Sequence, residues 1–130
     1  MNFQVKPVDA TFGAIVTGLD LRSLNDDDFA DLYSTWLEYS LLIFPAQHLS
    51  TEEQIKFARR FGKMEFDLAP ISNVDQAGNI IKSDENDMVK ILKGNMGWHQ
   101  DSTYMPVQAK GAVFSAHVVP ETGGETGWAD

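Results

Sequence analysis

The chain has 130 residues, with 19 acidic and 10 basic side chains and a formal net charge of −9. No basic stripe is present to neutralise phosphates, which argues against a nucleic-acid partner, and any anion site must be built locally. The absence of cysteine excludes disulfides and thiolate metal sites and is compatible with a cytoplasmic location.

At 43% hydrophobic and 22% charged, the composition is that of a soluble globular domain large enough for a real core. Met1 to Lys6 lacks the basic-then-apolar order of a signal peptide. The longest strongly apolar run, Leu41 to Phe44, is far too short to cross a bilayer, so no membrane partner is expected.

Residues 3–21 alternate loosely (Phe3, Val5, Val8, then Ala14, Val16) around Gly13 and Gly18, which predicts two short strands and a turn. Asn25 is a good helix N-cap, and Asp26, Asp27 and Asp28 suit the positive end of the helix that follows. Helix capping explains this acidic cluster better than a cation site does. Phe29, Leu32, Tyr33, Trp36 and Leu37 form one apolar stripe at helical spacing. Leu41–Phe44, ended by Pro45, reads as a buried strand.

Ser50 and Glu53 have the capping-box spacing, which predicts a second helix to about Phe61 with Gly62 as its stop. Ile55, Ala58 and Phe61, with Phe57, are expected to face the core. Arg59 and Arg60 fall in the last turn, where cations suit the dipole, and are not assigned to ligand binding.

Between Glu65 and Lys93 the pattern weakens. Ile71–Val74 and Met88–Leu92 look like strands, Gln76–Asn79 like a turn, and Asp84–Asp87 like a polar loop. Residues 94–110 lack clear period, as suits an active-site loop. Gly111 to Val119 alternates as a strand closed by Pro120, and Gly123-Gly124 turns into a further strand start at Thr126. The fold class expected is α+β, mainly β.

His99 and Asp101 carry the chemistry. In an extended segment, positions i and i+2 point to the same face, so the imidazole and the carboxylate can converge on one ion. They would form two-thirds of the facial two-His-one-carboxylate set that holds non-haem Fe(II). Spacing alone leaves a second reading open, a His and an Asp hydrogen-bonded on an ordinary strand. Two other histidines exist. His48 sits in a polar loop and reads as solvent-exposed, while His117 lies on the expected strand and would have to close the site of a small cupin-like metal protein.

The surroundings decide between these readings. Asn95, Trp98-His99-Gln100-Asp101-Ser102, Val118-Val119-Pro120, Gly123-Gly124-Glu125-Thr126 and Ala129-Asp130 resemble the taurine/2,4-dichlorophenoxyacetate (TauD/TfdA) dioxygenase family. Leu42-Ile43-Phe44, Leu49 to Gln54 and Phe57 to Gly62 fit the family's pattern in the right order, so the resemblance runs from about Val8 to Asp130. It implies the N-terminal part of a double-stranded β-helix, or jelly roll, with helices packed outside. It also implies Fe(II), 2-oxoglutarate and O2, with His99 and Asp101 as iron ligands and Thr126 on the distal carboxylate of 2-oxoglutarate. Asn95, Ser102 and Tyr104 would face the substrate, with Trp98 and Trp128 packing nearby.

In the resembling family the second His and the Arg that pairs with 2-oxoglutarate lie far downstream. Arg22, Arg59 and Arg60 belong to other elements here. The expectation is therefore a single dioxygenase domain, incomplete at its C-terminus and inactive alone. The alternative is a non-catalytic remnant or binding module retaining half the fold.

The substrate implied is a small organic acid. Residues 71–74, 94–96 and 101–107 look closer to the aryloxyalkanoate branch than to the taurine branch. Taurine enzymes place a His after the second helix, where Glu65 to Pro70 offers none. Met96, Tyr104 and Met105 would meet a ring, and Lys90, Lys93 or Lys110 its carboxylate. A homo-oligomer is compatible with the sequence.

Overall fold

The computed structural model describes residues 1–81 and 86–130. They fall into two compact units, one of Met1–Met64 with Val113–Asp130 and one of Glu65–Ala112. Among the described residues no helix is long and apolar enough to cross a membrane.

The first unit opens with β1 (Gln4–Pro7) and β2 (Ala14–Thr17), paired antiparallel with Gln4 opposite Thr17 and Pro7 opposite Ala14. The turn between them closes on Gly13, whose φ of 100° suits glycine and where an added Cβ would stand 3.2 Å from Val8. Helix α1 (Asp26–Tyr39) starts where expected: the Asn25 side chain accepts the Asp28 N–H, and three aspartates occupy the first turn. The chain then returns as β3 (Leu42–Ile43), parallel to β2, with α1 as the crossover.

Helix α2 (Thr51–Arg59) begins in the full capping box: the Ser50 hydroxyl accepts the Glu53 N–H, and the Glu53 carboxylate accepts the Ser50 N–H. Past its end, Gly62 takes a φ of 145° and donates its N–H to the Arg59 carbonyl.

Phe3, Val16, Leu21, Leu32, Leu49 and Phe57 form the core. Phe61 joins the helices edge-on, its ring centroid 5.1 Å from Phe29, 5.4 Å from Trp36 and 5.3 Å from Phe57. The Gln47 amide ties the loop before α1 to the segment after β3, donating to the Leu19 carbonyl and accepting the Leu21 N–H.

Three burial expectations in this unit need correction. Leu37 is 65% exposed, because the inner face of α1 centres on Leu32 and continues through Thr35. Ile43 is exposed, so Leu41–Phe44 is not a fully buried strand. On α2 the buried side chains are Phe57 and Gln54, and Ile55 and Ala58 are only half-buried, while Phe61 packs against the core as expected. Gln54 is satisfied by a contact that local pattern cannot reveal: its amide donates to the Val113 carbonyl at 3.1 Å.

In the second unit, Val74 bridges Ile80 around a turn in which the Asp75 carboxylate accepts the N–H groups of Ala77 and Asn79. Ile71–Val74 is otherwise not a strand. Met88–Leu92 is not a strand either. It belongs to α3 (Asp87–Gly94), capped by Asn86, whose side chain accepts the N–H groups of Met88 and Val89. The start signal Asn86-Asp87 and the stop Lys93-Gly94 outweigh the β-branched content between them. Of the expected polar loop Asp84–Asp87, Asp84 and Glu85 lie outside the described residues.

Gly111 to Val119 forms no strand, and neither does the segment at Thr126. Helices therefore hold more residues than strands among the described residues, in an α+β arrangement of one mixed three-stranded sheet and three helices.

Candidate functional site

The site grows out of the C-terminal end of α3. After Gly94 the chain keeps turning: Asn95 donates its N–H to the Ile91 carbonyl, Met96 to Lys93 and Gly97 to Gly94. The chain then leaves the helix, and the carbonyl of Gly97 faces the ring of His99 with its oxygen 2.8 Å from Nδ1. A tight turn follows over residues 101–104, closed by the Met105 N–H on the Ser102 carbonyl at 3.0 Å, with Ser102 at φ 62°.

This folding brings His99 and Asp101 together. Nε2 of His99 lies 3.3 Å from Oδ1 of Asp101, with the two side chains 48% and 83% exposed. Bonds of about 2.1 Å from nitrogen and oxygen to one cation, meeting at about 100°, separate their donor atoms by about 3.2 Å. The separation suits two ligands on one ion and equally a direct imidazole–carboxylate pair. Among the described residues, no group of three or more His, Cys, Asp or Glu side chains is placed to hold a metal.

The other expected site residues have varied surroundings. Asn95 is the exposed C-cap of α3, Ser102 is half-buried in the turn, and Tyr104 is 83% exposed. Trp98 does not pack around His99 as expected but is 77% exposed, and Trp128 is also exposed. Thr126 belongs to the first unit and is exposed. His48 is exposed as expected, at φ 48° in its loop, and His117 is exposed too. Lys90 forms an exposed ion pair with Asp87 at 3.3 Å.

Two of the arginines weighed from sequence are engaged within the first unit. Arg22 grips Asp20 through two hydrogen bonds, which hold the Asp20 carboxyl below its usual range. Arg60 reaches from the end of α2 to the start of α1. There it donates to the carbonyls of Leu24 and Asn25 and to the Asp26 carboxylate, and it stacks over the Phe29 ring. This anchoring role could not be read from the sequence. The nearest hint was two adjacent arginines beyond an aromatic-rich helix face.

A shallow cleft of about 240 Å³ lies beside Arg22, Lys56 and Arg60 in the first unit, and none of the expected site residues lines it.

Residues 4–130 match the family described as taurine catabolism dioxygenase TauD, TfdA family. The chain is 64% identical over 129 residues to the (S)-phenoxypropionate/alpha-ketoglutarate-dioxygenase of Sphingobium herbicidovorans, covering 98% of this chain and 45% of the relative. It is 33% identical to the alpha-ketoglutarate-dependent 2,4-dichlorophenoxyacetate dioxygenase of Cupriavidus pinatubonensis, covering 100% of this chain and 50% of that enzyme.

Among solved structures, that of AAD-2 in complex with Mn(II) and N-oxalylglycine is similar with a TM-score of 0.77 at 30% identity, over 84% of this chain and 40% of the other. The chain thus spans about half the length of the curated relatives it matches. It belongs to the TauD/TfdA dioxygenase family.

Proposed function

We propose that this chain supplies the first part of the active site of an Fe(II)- and 2-oxoglutarate-dependent dioxygenase that hydroxylates a small aryloxyalkanoate-like acid. The observation that supports this reading is the 3.3 Å approach of His99 Nε2 to Asp101 Oδ1, within the residues that match the family. Relatives named for phenoxypropionate and 2,4-dichlorophenoxyacetate support the substrate class.

In this reading His99 and Asp101 each give one ligand to the iron. Bound there with 2-oxoglutarate and O2, iron supplies the oxidising chemistry, with succinate and CO2 released. The Thr126 hydroxyl donates to the distal carboxylate of 2-oxoglutarate, which needs hydrogen bonds once buried. Asn95, Ser102 and Tyr104 face the substrate, and the exposed Met96 and Tyr104 offer apolar and aromatic surface to a ring.

Both ligand side chains stand open to solvent in residues 1–130, whereas oxidation at a C–H bond requires water to be excluded. The Arg that would pair bidentately with 2-oxoglutarate is not assigned to Arg22 or Arg60, which are engaged elsewhere in the first unit.

A chimera tests this directly. Residues 1–130 would replace the matching part of the Sphingobium herbicidovorans relative, and succinate release would be measured with phenoxypropionate and with taurine. Turnover that favours phenoxypropionate and disappears in His99→Ala or Asp101→Ala is expected. Faster turnover of taurine would overturn the substrate class, and activity surviving both substitutions would overturn the site.

A further inference from the structure

We propose that Gln54 is a positioning residue for Thr126: from the core face of α2 it anchors the segment Val113–Asp130, and so sets how often the Thr126 hydroxyl stands where a bound carboxylate needs it. The inference rests on the role proposed for Thr126 above and adds the device that places its hydroxyl.

Gln54 is 7% exposed and shares the inner face of α2 with Phe57, nearly one turn further on. An amide buried there is costly unless it is hydrogen-bonded, and an apolar side chain of the same length would fill the space without that demand. What the amide contributes is direction. It donates to the Val113 carbonyl at 3.1 Å, across 59 positions of sequence.

Both partners belong to the first unit, which combines Met1–Met64 with Val113–Asp130. Among the described residues this is the one hydrogen bond that joins those two stretches, and the Val113 side chain packs on the core at the same point. Beyond it Phe114, Val118, Val119 and Trp128 are all exposed. The segment that carries Thr126 is thus held to the core at its start, by a helix that has no contact of its own with the proposed site.

The test uses the chimera described above, with 2-oxoglutarate varied at saturating phenoxypropionate. Gln54→Met keeps the length and the apolar fill and removes the donor. It should raise the 2-oxoglutarate KM by about two- to tenfold, the range of one hydrogen bond, while kcat at saturating 2-oxoglutarate stays within about twofold. Thr126→Val should raise the same KM. Adding Gln54→Met to it should bring no further rise, because the two act in series. Arg60→Ala, which loosens the same unit at the far end of α2, should leave the KM unaltered.

A second measurement needs no cofactor. The chain has no cysteine, so spin labels can be carried by Ser34→Cys in α1 and Glu125→Cys beside Thr126, both at exposed positions. In residues 1–130 the distribution of distances between them should broaden in Gln54→Met and keep its width in Arg60→Ala. An unchanged KM or unchanged distances in Gln54→Met, or KM increments that add in the double variant, would overturn the proposal. If Thr126→Val leaves the KM unchanged while Gln54→Met broadens the distances, the anchor is upheld and the role of Thr126 is what fails.

Discussion

Arg60 offers a sharp test of how the first unit is held together, and of whether any arginine in residues 1–130 serves 2-oxoglutarate. Its guanidinium donates to the backbone carbonyls of Leu24 and Asn25, pairs with Asp26 at 2.6 Å and sits 4.2 Å above the Phe29 ring. These contributions differ in size. Hydrogen bonds from a charged donor to carbonyls contribute about 1.5–3 kcal/mol, and the cation–π contact about 0.5–1 kcal/mol.

The ion pair adds little, because the Asp26 carboxylate is fully exposed and solvent screens it. Arg60→Ala should therefore cost about 2–4 kcal/mol in urea unfolding, a large share of a typical domain's stability. Asp26→Asn should leave the midpoint nearly unchanged. Arg60→Lys keeps the charge but loses the planar fork, and should recover less than half.

In the chimera, Arg60→Ala should leave the 2-oxoglutarate KM unaltered. A loss below about 1 kcal/mol, the ordinary size for a point substitution, would refute the anchoring role. So would an Asp26→Asn effect as large as that of Arg60→Ala, or a 2-oxoglutarate KM that rises with stability intact.

Other substitutions probe separate parts of the molecule. Leu32 is fully buried at the centre of the first unit, so Leu32→Ala should cost about 3–5 kcal/mol in the same unfolding assay. The Ser50 backbone N–H holds the Glu53 carboxyl below its usual range. A carboxyl with a depressed folded pKa stabilises above its unfolded value of about 4.3, and that stability is lost as pH falls through the folded pKa. Acid titration of the folded state should thus show a Glu53 component below about pH 4.3 that Glu53→Gln removes, because glutamine keeps the box without the charge. Ser102 at φ 62° tolerates glycine but not a β-branched side chain, so Ser102→Val should weaken Mn(II) binding while Ser102→Gly should not.

The parts of this protein that sequence made legible are those governed by neighbours in the chain. The Asn25 cap, the Ser50/Glu53 box, the Gly62 stop and the β1–β2 pair each depend on residues a few positions apart, and each is present. The His99–Asp101 approach is local as well, although a turn beginning at Asp101 delivers it rather than an extended strand.

What failed depended on distant partners or on competing local signals. Alternation in Gly111–Val119 suggested a strand, but strands exist only where a neighbour supplies hydrogen bonds, and no ladder forms there. Met88–Leu92 has the residue types of a strand, but the flanking Asn86 cap and Lys93-Gly94 stop make it helical. The roles of Gln54 and Arg60 are invisible to local pattern, because the carbonyls they reach lie 59 and 36 positions away. Trp98, expected to pack around His99, is instead exposed.

The most direct measurement is a divalent-metal titration of residues 1–130 by calorimetry with Mn(II), alongside His99→Ala, Asp101→Ala and His117→Ala. With two ligands brought together among the described residues, one weak site is expected, lost in the first two variants and unchanged in the third, with no succinate formed from 2-oxoglutarate under Fe(II) and O2. Binding that survives His99→Ala and Asp101→Ala, or that vanishes with His117→Ala, would contradict the assignment of the iron site to His99 and Asp101.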